Sequence, residues 1–370
     1  MWVSDPPDAV VRQSLERICR APDVARVVVM PDVHLAGGVS NGVVVATHRY
    51  LYPAAVGGDI GCGFATVAFS GSAAPLGRRM AAHATLETLP DFVPIMRHRR
   101  RDGPPELAGE LSPERLTTSE LAAKAAGEGR LEFATLGRGN HFLEFQQDDE
   151  NRLWVMVHSG SRALGQHIMS YHSRRGRLAG AGLAWLDADD APGQAYLRDL
   201  AWARAYAAMS RLRMLEGAAL ALSQVMDLEP DWSTLLNTDH NHVQREEHEG
   251  QSLWVHRKGA NAAAHGKPNM IPGSMATHTY HVEGRGHPES LGSSSHGAGR
   301  RMSRGAARAK IKRHDLVRQL ADVWFDPDIT SRLVDEAPSA YKDLDEVMRA
   351  QHDLVRIRRR LTPVLCYKGV

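Results

Sequence analysis

Cysteine is scarce in this chain of 370 residues, which has only Cys19, Cys62 and Cys366. An odd number at such wide spacing builds no disulfide framework and suits a reducing cytosol. No apolar run approaches the length a membrane span needs. The opening MWVSDPPDAV lacks the basic segment and apolar run of a secretory signal. These absences predict a soluble, cytoplasmic protein with no membrane partner. An excess of one charge is missing as well. Lys+Arg 45 against Asp+Glu 43 leaves a formal net charge of +2, so no global basic field announces nucleic acid. A local basic cleft stays compatible with that balance, because phosphate responds to local arrangement. Fixed-period repeats and low-complexity tracts are also lacking.

What is present is an ordinary globular balance, 43% apolar and 24% charged, in a chain long enough to bury a large core. "ARVVVMPDVH" (25–34) reads as a β-branched run ending in a Pro-Asp turn, and "NGVVVATHRYLYPAAV" (41–56) follows it. "GCGFATVAF" (61–69) predicts another strand. Residues 70–130 form a variable, insertion-like region of helical stretches broken by "HRRRDGPPELAGELSP", which reads as a surface loop. In 132–165, "DDEN" predicts a hairpin turn between two strands. Helical periodicity with much alanine and leucine runs from 193 to 228, strand-like pieces return at "SLWVHRKGA" and "THTYHVEG", and 304–358 reads as charged and mostly helical. Strands and helices interleave without a regular βαβ rhythm. The expectation is one mixed α/β (α+β) domain over 1–370, with central strands around a deep metal-containing cleft.

"VGGDIGCGFATV" (56–67) carries the first chemical signal. Asp59 and Cys62 stand three apart among glycines, which permit the tight turn that aims both side chains into one cavity. His141 in "GRGNHFLEF", His158 at the end of "LWVMVHSGSR" and His240 in "STLLNTDHNHV" each lie where a rigid element ends. Singly, each is as well explained as a hydrogen-bonded loop histidine or a small buried thiol. No compact zinc spacing such as HExxH is present. Together, one carboxylate, one thiolate and three imidazoles suffice for two divalent ions, with Cys62 bridging or switching between them.

Two small-residue loops form a second group. "NMIPGSMATHTY" (269–280) offers a Pro-Gly turn with backbone N–H groups and a hydroxyl, a phosphate cradle. "SLGSSSHGAGRRMSR" (290–304) sets His296 between serines and "GAG", with arginines behind it. Small residues admit a ligand to the backbone, guanidinium forks bind phosphate, and a neutral imidazole attacks phosphorus.

With these pieces assembled, the chain resembles the RtcB-type RNA-splicing ligases. The matching stretches are "MPDVHLAGG", "YPAAVGGDIGCG", "LGRGNHFLE", "VHSGSRALG", "DHN", "RKGA", "IPGSM", "SSSHGAGR" and the near-terminal "YKG", in order from residue 30 to 369. The resemblance implies joining of an RNA 3′-phosphate or 2′,3′-cyclic phosphate end to a 5′-hydroxyl end, in tRNA splicing or RNA repair, with GTP and two Mn²⁺ ions. It implies Asp59, Cys62, His141, His158 and His240 as manganese ligands and His296 as the residue that takes GMP. It implies guanylate contacts at Asn140, Asn241, Pro272, Gly273, Ser274, Met275, Thr279, Gly297, Ala298, Gly299 and Lys368, and makes Arg162 and Arg300 candidates for RNA or GTP phosphate. It leaves room for an activating protein partner. Gly58 and Arg138 depart from the residues common in the family, and neither removes a proposed ligand.

Three other readings compete. A dinuclear metallophosphoesterase would use the same ligands only to activate water, and it leaves "SSSHGAGR" unexplained. A paralogue that caps 3′ ends without sealing them would look much the same. A non-catalytic RNA- or nucleotide-binding module has no need of all five ligands.

Overall fold

Seven strands, every neighbouring pair antiparallel, make the sheet that organises the site. Their order across the sheet is Pro268–Pro272, Thr279–Gly284, Val355–Lys368, Phe142–Gln147, Arg152–Ser159, Gly63–Ser72 and Pro230–Asp239. The computed structural model describes residues 1–3, 6–99, 103–178 and 182–369. The loop expected over 98–113 is therefore described except at 100–102, which lie outside the described residues. A second sheet runs Val24–His34, Asn41–Thr47, Gln251–Lys258, Asn241–His248, again antiparallel throughout. A short ladder joins Ala260–Ala262 to Ser293–Ser295. The architecture is mixed α/β, as the interleaved sequence pattern predicts.

The alanine-rich stretch forms one helix, Ala191–Ser223, of 33 residues and roughly 50 Å at 1.5 Å per residue. Pro192 sits in its first turn, where a missing N–H costs nothing. Small alanines let several faces of the helix approach its neighbours, so it serves two cores. Its second half sets Met214, Leu215, Ala218 and Leu222 against Ala65, Val67, Val155 and Val157 of the sheet. Its first half packs Tyr196, Leu200, Ala203 and Tyr206 with Ile60, Leu164 and Ile168. Each such aliphatic side chain contributes roughly 1.5–3 kcal/mol by leaving water. The 70–130 region feeds both cores, with Ala82, Leu89 and Val93 in the first and Leu111, Leu116 and Leu121 in the second.

The "DDEN" hairpin forms as expected. The Asp148 carboxylate accepts the backbone N–H groups of Glu150 and Arg152, at 3.1 and 2.9 Å, and Asn151 takes the left-handed conformation at φ +60°. Two expectations change. The Pro31-Asp32 pair makes no turn: the strand continues through it to His34, with a register irregularity between Val29 and His34. Bulges re-aim side chains, and the Asp32 side chain ends fully buried. The region 304–358 is helical at Arg304–Lys310, Arg313–Gln319 and Leu344–Ala350, but Val355 begins a 14-residue strand. The charged "VRIRRR" belongs to that strand because it pairs along Thr279–Gly284, while the second half of the strand pairs with Phe142–Gln147.

One buried cation ties helix to sheet. The Arg211 guanidinium donates to Gly61 O at 2.7 Å, Ser159 O at 2.9 Å and Asn237 Oδ1 at 2.9 Å, joining the helix to the ends of three strands. Burial pulls its pKa below the ordinary arginine value, and the Asp239, Cys62 and Asp59 charges oppose that pull. Arg211→Met keeps most of the volume but leaves the two buried carbonyls of Gly61 and Ser159, and the more exposed Asn237 Oδ1, without this donor. It is expected to cost about 3 kcal/mol or more of stability, at roughly 1–3 kcal/mol per orphaned group, read as a lower denaturation midpoint with unchanged slope.

Candidate metal centre and nucleotide cleft

Antiparallel alternation decides where the predicted ligands meet. Neighbouring strands run in opposite senses, so one edge of the sheet collects the start of one strand and the end of the next. Four adjacent strands carry His141 just before Phe142, His158 near the end of Arg152–Ser159, Cys62 just before Gly63, and His240 just after Asp239. All four fall on that one edge. The ladder confirms the register, with Phe142 and Phe64 both opposite His158 and Gly63 opposite Asp239. Gly61 makes the turn possible at φ +70°, where a Cβ would stand 2.9 Å from Arg204 Cα of the long helix.

Two ligand groups result, and they share one atom. Asp59, Cys62 and His141 form the first, and Cys62, His158 and His240 the second, each with its ligand atoms within 4.8 Å of one another. Cys62 Sγ lies 3.3 Å from His158 Nε2 and 3.8 Å from His141 Nε2. His141 Nε2 is 3.0 Å from Asp59 Oδ2. On their far sides, His141 Nδ1 faces Leu136 O at 3.1 Å and His158 Nδ1 faces Asn140 O at 3.0 Å. Each Nδ1 therefore donates to a carbonyl, and each Nε2 turns its lone pair toward a thiol or carboxylate. At His141 Nε2 and Asp59 Oδ2 an acceptor faces an acceptor, an arrangement that a cation between them would relieve. Asp59 Oδ1 and His240 Nδ1 are buried without a hydrogen-bond partner among the described residues, as ligand atoms awaiting an ion would be.

The electrostatics agree. Burial, reinforced by the Asp59 charge, pushes the Cys62 thiol well above its ordinary range, so its thiolate needs a neighbouring cation. Burial holds His158 and His240 well below the usual imidazole value, which keeps them neutral with lone pairs available. Burial pushes the Asp59 carboxyl up, but its contacts with His141 and Cys62 outweigh that and leave the pKa low. A donor set of buried thiol, imidazoles and carboxylate fits borderline divalent ions such as manganese, iron, cobalt or zinc.

His296 stands beside this edge. Its ring centre is 4.6 Å from that of His240. Its Nδ1 is 2.6 Å from Asp32 Oδ2, which also accepts the His296 backbone N–H at 3.1 Å. Asp32 therefore fixes the tautomer and leaves Nε2 as the free, nucleophilic nitrogen. Gly299, at φ +73°, lets this loop pass Asp32, whose carbonyl oxygen would lie 2.2 Å from any Cβ there. Asp32 escaped the residue-level reading because "PD" looked like a turn, and only the bulged strand turns its carboxylate inward.

A cavity of about 720 Å³ opens from His158 and His296. Asn140, Pro272, Gly273, Ser274, Met275, Gly297, Ala298, Gly299, Arg300 and Lys368 all line it. The PGSM turn is closed by the Thr277 hydroxyl, which accepts the Ser274 backbone N–H. Three predicted residues fall elsewhere. Asn241 spends its amide on the loop, donating to Asp59 O at 2.9 Å and accepting from Gly259 N at 2.7 Å. Thr279 is buried and accepts a hydrogen bond from Gln146. Arg162 lies outside the lining, its guanidinium near Thr135 Oγ1 and Met96 O, both at 3.4 Å. Arg300 does reach the cavity, but Glu336, Asp335 O and Met302 O already occupy its donors. Lys368 pairs with Glu336 at 3.0 Å. Glu144 was not singled out from sequence, yet it lines the cavity while nearly buried. Burial raises its carboxyl to about 8, against the pull of Gln146 and Lys368.

Among the described residues no helix is long and apolar enough to cross a membrane. The family described as tRNA-splicing ligase RtcB matches residues 14–110 and 106–369. RNA-splicing ligase RtcB1 of Escherichia coli is 35% identical over 399 residues, covering 100% of this chain and 97% of that protein. RNA-splicing ligase RtcB of Escherichia coli strain K12 is 34% identical with the same coverage. tRNA-splicing ligase RtcB of Nanoarchaeum equitans is 30% identical over 294 residues, 66% of this chain and 61% of its own. A family match along nearly the whole chain, with end-to-end relatives above 30% identity, establishes that the chain belongs to the RtcB family of RNA-splicing ligases.

Proposed function

We propose that the protein is a GTP- and manganese-dependent RNA ligase that joins 3′-phosphate or 2′,3′-cyclic phosphate ends to 5′-hydroxyl ends. One observation carries the reading: a ligand set sharing a single thiol lies beside an imidazole whose Nδ1 is fixed by a carboxylate, and His158 of that set lines the same cavity as His296. A phosphoesterase that only activates water has no use for His296 held in this way.

His296 Nε2 attacks the α-phosphorus of GTP, the new N–P bond forming as the bond to pyrophosphate breaks. Asp32 holds the Nδ1 proton and stabilises the positive charge that develops on the ring. The RNA 3′-phosphate then takes GMP from His296, and the 5′-hydroxyl displaces GMP to seal the strand, a 2′,3′-cyclic end first being opened by water. Manganese held by Asp59, Cys62, His141, His158 and His240 would polarise phosphoryl oxygens and carry charge on leaving groups. The Met275 and Gly299 backbone N–H groups, which have no acceptor among the described residues, are offered to the guanylate together with Asn140 and Lys368, while Gly273, Ser274, Gly297 and Ala298 donate within the protein and shape the loops. Glu144 at the cavity wall suits guanine, whose edge presents donors to a carboxylate and so separates it from adenine.

His296→Ala is expected to abolish GMP retained after denaturation while metal content stays unchanged, read with α-labelled GTP. Asp32→Asn should slow guanylylation by about 10²–10⁴-fold through the wrong tautomer. Cys62→Ala removes the shared donor, and metal analysis after dialysis should show occupancy falling from two ions to one or none. Glu144 is protonated below about 8 and ionised above it. Half-saturating GTP should therefore fall as pH rises from 7 to 8, by up to about fivefold, and Glu144→Gln should flatten that dependence.

A further inference from the structure

The segment that follows His296 leaves the cavity as a basic surface that the chemistry above does not use. Arg301 and Arg304 line the cavity, and the chain then runs through the helices Arg304–Lys310 and Arg313–Gln319. From 300 to 319 it holds eight Lys or Arg residues and one acid, Asp315, in a protein whose overall net charge is only +2. Local fields of this kind concentrate polyanions even when the whole molecule is nearly neutral.

The arrangement sorts these cations into two sets. Arg300, Arg304 and Arg308 face inward to Glu336 and Asp335, which anchor the segment to the body of the protein. Ala307, Ile311, Leu316 and Leu320 fix it from beneath by packing into a common core with Met275 of the cavity wall. Lys310, Lys312 and Arg313 are exposed and have no carboxylate partner among the described residues. The one acid in the segment is already taken, Asp315 lying 2.7 Å from Arg318 and 3.4 Å from His314. Some exposed cations elsewhere do have carboxylate partners, as Arg49 has Asp187 and Arg358 has Glu283. Three unmatched cations on a rigid, packed support, continuous with the wall that holds the nucleophile, form a ready phosphate-tracking surface.

We propose that Lys310, Lys312 and Arg313 bind the phosphate backbone of the RNA strand whose end lies in the cavity. The helix Arg304–Lys310 advances about 10 Å from the cavity rim, so these residues meet nucleotides beyond the reacting end. They supply affinity and orientation and take no part in guanylylation. The proposal rests on the RNA-ligase reading, and the test separates the two.

The triple variant Lys310→Gln, Lys312→Gln, Arg313→Gln is compared with wild type in two assays, retention of label from α-labelled GTP and sealing of a broken RNA stem-loop at several salt concentrations. Labelling is expected to be unchanged. The stem-loop concentration for half-maximal sealing should rise about tenfold, and the slope of log affinity against log salt should flatten by about 2 for three lost phosphate contacts. The charge-keeping variant Lys310→Arg, Lys312→Arg, Arg313→Lys should behave as wild type. Unchanged half-saturation and salt slope in the triple variant, with labelling intact, would overturn the proposal, including the case in which this surface serves an acidic protein instead. Wild-type protein that neither retains label nor seals RNA would sink the ligase reading itself.

Discussion

Everything at the site depends on strand direction. Antiparallel neighbours present alternating beginnings and ends along one edge, and His141, His158, Cys62 and His240 occupy successive places on it. Asp59 joins them through the tight turn before Cys62. A one-residue slip in any of the four strands would swing a ligand to the opposite face of the sheet. The bulk of the protein therefore works as a register-keeping device. The 33-residue helix lies across the strands, and its buried Arg211 fastens Gly61, Ser159 and Asn237 at three strand ends.

The candidate centre needs that rigidity, because its donor atoms are costly to pack together without a cation. A thiol pushed up by burial, imidazoles kept neutral and a carboxylate oxygen without a partner are packed into one buried space. Carbonyls behind His141 and His158 dictate which nitrogen faces inward. Preorganisation of this kind places the cost in folding, so that an ion bound there would not have to supply it. The same logic recurs one step away, where Asp32 fixes the orientation of His296 before any substrate arrives.

Much of this was legible in the primary structure. The five metal candidates and His296 stood out because chemically capable side chains sat in glycine-rich turns at the ends of apolar runs, and the geometry brings the five together at one edge with His296 beside it. The PGSM and GAG turns were readable for the same reason, and both line the cavity. Asp32 was missed because Pro-Asp reads as a turn, and Glu144 because it lies inside a stretch that reads as plain β-structure; nothing local marks either as a buried carboxylate. Asn241 and Thr279 were assigned to nucleotide by resemblance, whereas their side chains here satisfy protein groups. Arg162 and Arg300 carried the right charge, but charge alone does not say which donors remain free.

The sequence by itself determined the chemical vocabulary: which donors exist, which turns can present them, and that helices and strands alternate irregularly. It also determined the DDEN hairpin and the long alanine-rich helix, since those rest on contacts between near neighbours. Only the tertiary structure decided that Val355–Lys368 is a strand, because its cationic first half becomes β-structure through pairing with residues some 75 positions earlier. It alone decided that Pro31-Asp32 is a bulge, that one thiol serves two ligand groups, and which cations are neutralised by distant acids. Those outcomes depend on contacts between residues remote in the chain, where local preference is silent.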